Sequence, residues 1–313
     1  MDFDLSEDQA AVMTALDSLL AHHRELPQAH RADRQFYDQT LDAALVEAGF
    51  MDIARTPGYG ALEAALLVDA VTRLPGVVEC SASALVAPQL GDEPLPRPLA
   101  LLSGDLGKPQ RFLPNAKAAL YVDGDDVLLI AIDAANVETV ETIYAYPYGR
   151  FLSAPDLTKA RRLDGVSPEK LRQWWRVAIA LECASAMLAA VGFTVEYVKN
   201  RRQFGRALGT FQTIQHRLAA CEQIARGARW LALRAAASAD PVDAATAAAY
   251  AQQMIPKLMF DVHQFNGAMG MTNEHHLHFW TYRFRALQSE LGGAAHNAAA
   301  VADLVWPRTT YAK

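Results

Sequence analysis

The sequence predicts a mainly α-helical fold with a small β insertion: an N-terminal helical domain, a reduced middle β-domain and a C-terminal four-helix bundle. Three observations carry this expectation. Apolar residues recur at helical spacing between Val12 and Leu74. The prolines at 94, 96 and 98 interrupt that pattern and give way to short β-favouring runs. From Ser167 onward, long Ala-rich stretches of helical period return, joined by short loops. The domains are expected over residues 1–113, 114–164 and 165–313.

Ser6-Glu7-Asp8-Gln9 has capping-box form, so a helix is expected to start there and to carry Val12, Leu16, Leu19 and Leu20 on one face. The pattern repeats over Phe36 to Ala48 and Leu62 to Leu74, with Gly49 suited to a left-handed helix end, so residues 1 to about 105 are expected to be mostly helical. Strands are expected at Ala119 to Tyr121, Val127 to Ile132 and Val137 to Val140, the first two joined by the turn Asp123-Gly124-Asp125-Asp126. Ser167-Pro168-Glu169 supplies a hydroxyl cap, a proline at the first helical position and an acid at the positive dipole end. Leu171 to Tyr197, Ile214 to Ala237, Ala244 to His263 and Glu274 to Leu291 are then expected to form the antiparallel bundle.

With 313 residues and 51% apolar content, the chain can bury a core in two or three domains. A net charge of -6 without long like-charge runs gives no footprint for nucleic acid. Cys80, Cys183 and Cys221 are widely spaced and lack CxxC form, so free buried thiols in a reducing, cytoplasmic compartment are expected. The start Met1-Asp2-Phe3-Asp4 is acidic where a signal peptide is basic, and no apolar run is read as approaching the roughly twenty residues that span a bilayer, so no membrane is expected.

Two segments carry candidate chemistry. Arg201, Arg202 and Arg206 cluster at an expected helix end, where guanidinium groups either bind phosphate bidentately or merely complement the helix dipole. Gln264, Gly267 and Gly270 either admit a ligand to the backbone or make a helix-to-helix turn. His275 and His278 share a helix face but lack a third ligand, so no metal is expected, and Met269 and Met271 read as core fillers.

Tyr197 to Gly205, continued to His216, is similar to the "YxxxRxQFGxxLxxFQxxQH" segment of the acyl-CoA dehydrogenase family. Gln264-Phe265-Asn266-Gly267-Ala268-Met269-Gly270 resembles the family's "QxxGGxG", with Ala268 in place of the second glycine, and Leu41 to Ile53 resembles its "LxxAGxxxI". The resemblance implies FAD, with Arg201 at the pyrophosphate, Gln203 where a phosphate-binding hydroxyl or amide often stands, and Phe204 beside the adenine. It further implies that Gln264, Gly267 and Ala268 lie along the adenosine half, and in homomeric relatives these groups serve the neighbouring subunit's flavin. The family's middle β-barrel is larger and carries a Thr-Glu-Pro loop that is missing here.

Removing hydrogen from Cα and Cβ of a thioester takes a carboxylate for the α-proton and a flavin N5 for the hydride. Alignment of Tyr282-Arg283-Phe284-Arg285-Ala286 with the family's "YRDAR" puts Gly292 where the glutamate of "YEGTSE" should stand and Ala294 in place of its threonine. The base position used by a minority of relatives falls on Trp175. No catalytic residue is therefore assigned, and Glu290 and Glu182 are the nearby acids that remain.

The chain thus resembles the short, base-lacking subunit of heteromeric α2β2 acyl-CoA dehydrogenases that act on steroid side chains. That implies a catalytic partner subunit holding most of the FAD and the acyl-CoA, with electron-transfer flavoprotein as an acceptor. Two alternatives stay open: a self-sufficient homomeric enzyme using Glu290 or Glu182, and a flavin-free scaffold of the same fold.

Overall fold

The computed structural model describes residues 5–31 and 33–306. They sort into two compact units, one ending at Leu171 and the other beginning at Arg172.

The first unit opens with α1 (Glu7–Leu20), capped as its sequence implies: the Gln9 amide donates to Ser6 Oγ at 3.2 Å and the Ser6 amide to Gln9 Oε1 at 2.9 Å. α2 spans Gln39–Glu47, α3 Ala61–Thr72 and α4 Ala87–Leu90. The second helix starts later than its apolar pattern does. Asp38 takes the Leu41 amide at 2.9 Å and sets the start there, while Tyr37 stays extended and bridges to Val77. Gly49 adopts the expected left-handed conformation at the end of α2, with φ 77°. Leu41, Leu45, Leu67 and Leu85 are fully buried between these helices and the π-helical turn Ser81–Val86. The buried Glu79 carboxylate accepts the amides of Ala82 at 2.8 Å and Leu99 at 3.0 Å, joining that turn to the first strand.

The strands are β1 (Leu99–Leu102), β2 (Gln110–Arg111), β3 (Ala118–Asp123), β4 (Asp126–Ala131), β5 (Val137–Thr139), β6 (Tyr148–Phe151) and β7 (Arg161–Arg162). One sheet runs β1-β3-β4-β7 and the other β2-β6-β5. Asp123 pairs with Asp126 across the expected turn, where Gly124 takes φ 58°. β1 corrects the expectation of helix to about residue 105: its run of apolar residues pairs in parallel with β3, Leu99 opposite Ala118.

α5 (Pro168–Asn200) leads into the second unit, followed by a hairpin of β8 (Arg202–Gln203) and β9 (Arg206–Ala207), then α6 (Gln212–Ser238), α7 (Pro241–Asn266), α8 (His278–Leu287) and α9 (Gly293–Val305). α7 lies centrally, packed along both α6 and α9. Ala225, Ala228, Ala232 and Ala235 of α6 and Ala244, Ala247, Ala248 and Ala251 of α7 are buried, and the absence of longer side chains lets backbones approach closely.

Two expectations are corrected here. The helix expected over 274–291 is only α8, and the bundle partner on that side is α9, which begins where Gly292 takes the left-handed N-cap conformation with φ 77°. α5, moreover, is long and apolar enough by length and composition to cross a bilayer, although 78% of its most apolar stretch is buried inside the protein.

Candidate cofactor-binding site

The arginine segment forms an arm. α5 ends at Asn200, the chain turns back through the hairpin β8–β9 with Gln203 opposite Arg206, and the Leu208 amide closes onto the Arg201 carbonyl at 2.8 Å. The two turn residues, Phe204 and Gly205, both have positive φ, 55° and 81°, the signature of a type I′ turn. Glycine takes such angles freely; Phe204 does so at a cost of roughly 1–2 kcal/mol. Phe204 stands at the tip, 85% exposed, and its ring meets that of Phe211 edge to face with centroids 6.2 Å apart. Arg206 lies over the Phe211 face at 3.9 Å. Among the described residues, no carboxylate pairs with Arg201, Arg202 or Arg206.

Gln264, Gly267 and Ala268 lie apart from the arm, on a groove of about 610 Å³ formed by the end of α7, the 3-10 turn after it (Gly267–Met271) and α8. Gly267 combines φ 57° with ψ −146°, a region that side chains disfavour, and nothing lies within 4 Å of where a Cβ would stand. Its backbone is open to a ligand. Gly270 is different: a Cβ there would sit 2.7 Å from Asn266 Cβ, so this glycine serves close packing, a correction to the expectation that it admits the ligand.

The groove also has residues that sequence reasoning missed, among them Phe260, His263, Tyr282 and Arg285. A signal for them existed: Pro256, Phe260 and His263 recur at helical spacing on α7, as Tyr282 and Arg285 do on α8. Burial, reinforced by the Arg285 charge, holds His263 below the usual imidazole range and hence neutral at pH 7.

One apolar cluster ties the two segments to the same framework. Phe265, next to Gln264, packs with Val198, Leu218, Tyr197 and Leu208, which bracket the arm. Asn266 donates to Thr194 of α5 at 2.9 Å and meets His275 Nε2 at 2.5 Å. His275 is further enclosed by the rings of Phe193 and Tyr197, and His278 Nδ1 meets the His275 carbonyl at 3.0 Å. These histidines serve the interior; among the described residues no cluster of three metal-ligating side chains occurs. Met269 and Met271 are exposed rather than buried, which corrects their reading as core fillers; Met271 lies on the groove.

All six residues expected to meet a cofactor, Arg201, Gln203, Phe204, Gln264, Gly267 and Ala268, are thus exposed, in two groups on one framework. The unpaired guanidiniums suit a pyrophosphate, and the open glycine beside an apolar groove suits the flat adenosine half of a dinucleotide.

The positions where a base would be sought are tied to the interior by hydrogen bonds. Glu290, Leu291 and Gly292 form a 3-10 turn between α8 and α9, in which Leu291 has φ 49° and Gly292 and Gly293 have φ 77° and 73°. Trp175 is buried and donates its indole N–H to Glu290 Oε2 at 3.1 Å. Gln252, 1% exposed, donates to the carbonyls of Leu287 at 2.7 Å and Glu290 at 3.0 Å. Asn297, fully buried, donates to Gln252 Oε1 at 2.8 Å and accepts from Arg176 Nε at 2.9 Å. Glu182 is buried within α5.

Comparison with known proteins follows this geometry. The chain has the acyl-CoA dehydrogenase fold. It aligns over 99% of its length and 100% of the other with a chain of the ChsE4-ChsE5 complex from Mycobacterium tuberculosis, at TM-score 0.81 and 20% identity. A chain of the Tcur3481-Tcur3483 steroid ACAD G363A variant aligns over 96% and 98%, at TM-score 0.76 and 22% identity. Residues 170–303 match the family model described as "Acyl-CoA dehydrogenase, C-terminal domain". The chain is 26% identical over 227 residues to the acyl-CoA dehydrogenase IpdE2 of Mycobacterium tuberculosis, covering 66% of this chain and 71% of that protein.

Proposed function

We propose that this chain is a non-catalytic subunit of an FAD-dependent acyl-CoA dehydrogenase that acts on a CoA thioester, a steroid side chain being the favoured class. It completes the FAD site of a catalytic partner, in an α2β2 assembly. The observation that carries this reading is the contrast between what the two sets of positions offer. The six residues suited to the ADP half of FAD face solvent, whereas the positions available for a base hold Gly292, which has no side chain, and Trp175, which is buried.

In this reading Arg201 and Gln203 bind the pyrophosphate, Phe204 covers the adenine, and the Gly267 backbone with Gln264 and Ala268 lies along the adenosine. When bound, FAD supplies the acceptor for the substrate hydride. The residues of this chain bind and orient its nucleotide end and exclude water from it. They move no proton in the reaction, and the partner supplies the base and the acyl-CoA cleft. The steroid assignment leans on the names of the similar proteins, one of them a steroid acyl-CoA dehydrogenase.

Co-expression with a catalytic partner tests the reading. The expected result is a yellow complex whose flavin content falls about tenfold with Arg201→Ala at unchanged subunit composition, the effect of losing one charge-assisted hydrogen bond. An Arg201→Ala complex with full flavin would contradict it.

A further inference from the structure

We propose that the Trp175 indole and the Glu290 carboxylate form a latch that closes, from inside this chain, the place where a base of its own would have to stand. The proposal rests on the reading of the chain as the subunit without a base, and it adds the residues that make the loss structural. The two family base positions, Trp175 on α5 and the turn around Gly292, come together at the indole-to-Glu290 hydrogen bond of 3.1 Å.

The backbone of the turn leaves little room for a larger side chain at 292 or 293. A Cβ on Gly292 would stand 2.8 Å from His296 Cβ and 2.9 Å from its Cγ, and one on Gly293 would stand 2.8 Å from the Gln288 carbonyl oxygen. A glutamate at 292 therefore has no room without moving α9. Glu290 cannot take its place: swinging toward a substrate would strip the buried Trp175 N–H of its acceptor. Its backbone is held independently, since Gln252 binds the Glu290 carbonyl and Asn297 binds both Gln252 and, at 3.2 Å, the Gly293 carbonyl. Arg176, next to Trp175 in the chain, donates to Asn297 and completes the chain of bonds back to α5. The left-handed Leu291 is the strained link that these bonds retain. Glu290 and Trp175 are thus positioning residues of the turn.

The test uses the complex with its catalytic partner and three variants, reading turnover per bound flavin and amide hydrogen exchange over residues 288–293. Glu290→Gln keeps an oxygen for the indole, so turnover should stay within about twofold of the parent and exchange should be unchanged. Glu290→Ala and, should that variant fold poorly, Trp175→Phe should each speed exchange across the turn about tenfold or more while turnover per flavin holds. A loss of about a hundredfold or more in turnover with Glu290→Gln, at full flavin content, would identify Glu290 as the base and overturn both the latch and the base-less reading. Unchanged exchange in both Glu290→Ala and Trp175→Phe, with turnover intact, would overturn the latch alone.

Discussion

Phe204 and Leu291 are both non-glycine residues held in the left-handed region, at φ 55° and 49°, and their surroundings could hardly differ more. Leu291 belongs to a turn whose carbonyls and carboxylate are bound by buried Gln252, Asn297 and Trp175, so the interior accounts for its strain. Phe204 projects from a hairpin into solvent, where its ring meets that of Phe211. The comparison teaches that strain maintained by internal hydrogen bonds is architecture, whereas strain that displays an aromatic ring between unpaired arginines calls for a partner outside the chain. In the proposed reading the outward region is the one that would meet the flavin, whereas the turn around Leu291 is held from within.

The sharpest way to break this comparison is to cut the internal support. Asn297→Leu leaves Gln252 and Arg176 without their buried partner and should cost about 3 kcal/mol in unfolding free energy, read by denaturant titration; a loss under about 0.5 kcal/mol would remove the interior account of Leu291. Phe204→Gly should move two quantities in opposite directions. Relief of the left-handed strain should stabilise the chain by about 1 kcal/mol, while the flavin content of the complex falls. A destabilised Phe204→Gly would mean that the ring packs inward.

Acid supplies a smaller effect. Burial, with smaller contributions from neighbouring charges, depresses the pKa values of His263 and His275 in the folded chain. The unfolded chain therefore binds more protons below about pH 6.5, and stability should fall as pH drops through that window. His275→Gln should flatten the dependence of melting temperature on pH between 7 and 5; an unaltered slope would exclude His275 as a source. Smallest of all, Cys221 should resist alkylation in the native chain, because burial and then the charge of Asp261 push its thiol up to about 12. Rapid modification by iodoacetamide would show that α6 and α7 part readily there.

Much of the fold was legible because local chemistry and tertiary structure agree. Ser6 with Gln9 and Ser167 with Pro168 start their helices as written, and the run from Asp123 to Asp126 turns between paired strands. β1 was not legible, because its parallel pairing with β3 depends on a contact distant in sequence. Nor was α9: the glycine pair at 292 and 293 suggests a break, and only the left-handed Gly292 turns it into a helix start. At the site, the motifs pointed to the arm and to Gly267, and spacing on α7 held an unread clue to Phe260 and His263. The bond from Trp175 to Glu290 links residues 115 positions apart, so no local pattern encodes it. Gly270 misled for a related reason: a glycine that admits a ligand and one that admits Asn266 look alike until the neighbour is located.

The most direct test of the central claim is anaerobic addition of an acyl-CoA substrate to two samples supplied with FAD, the purified chain alone and its complex with the catalytic partner. The account predicts that flavin absorbance near 450 nm is bleached only in the complex, because in the proposed reading the partner supplies the base. Bleaching by the isolated chain would contradict it.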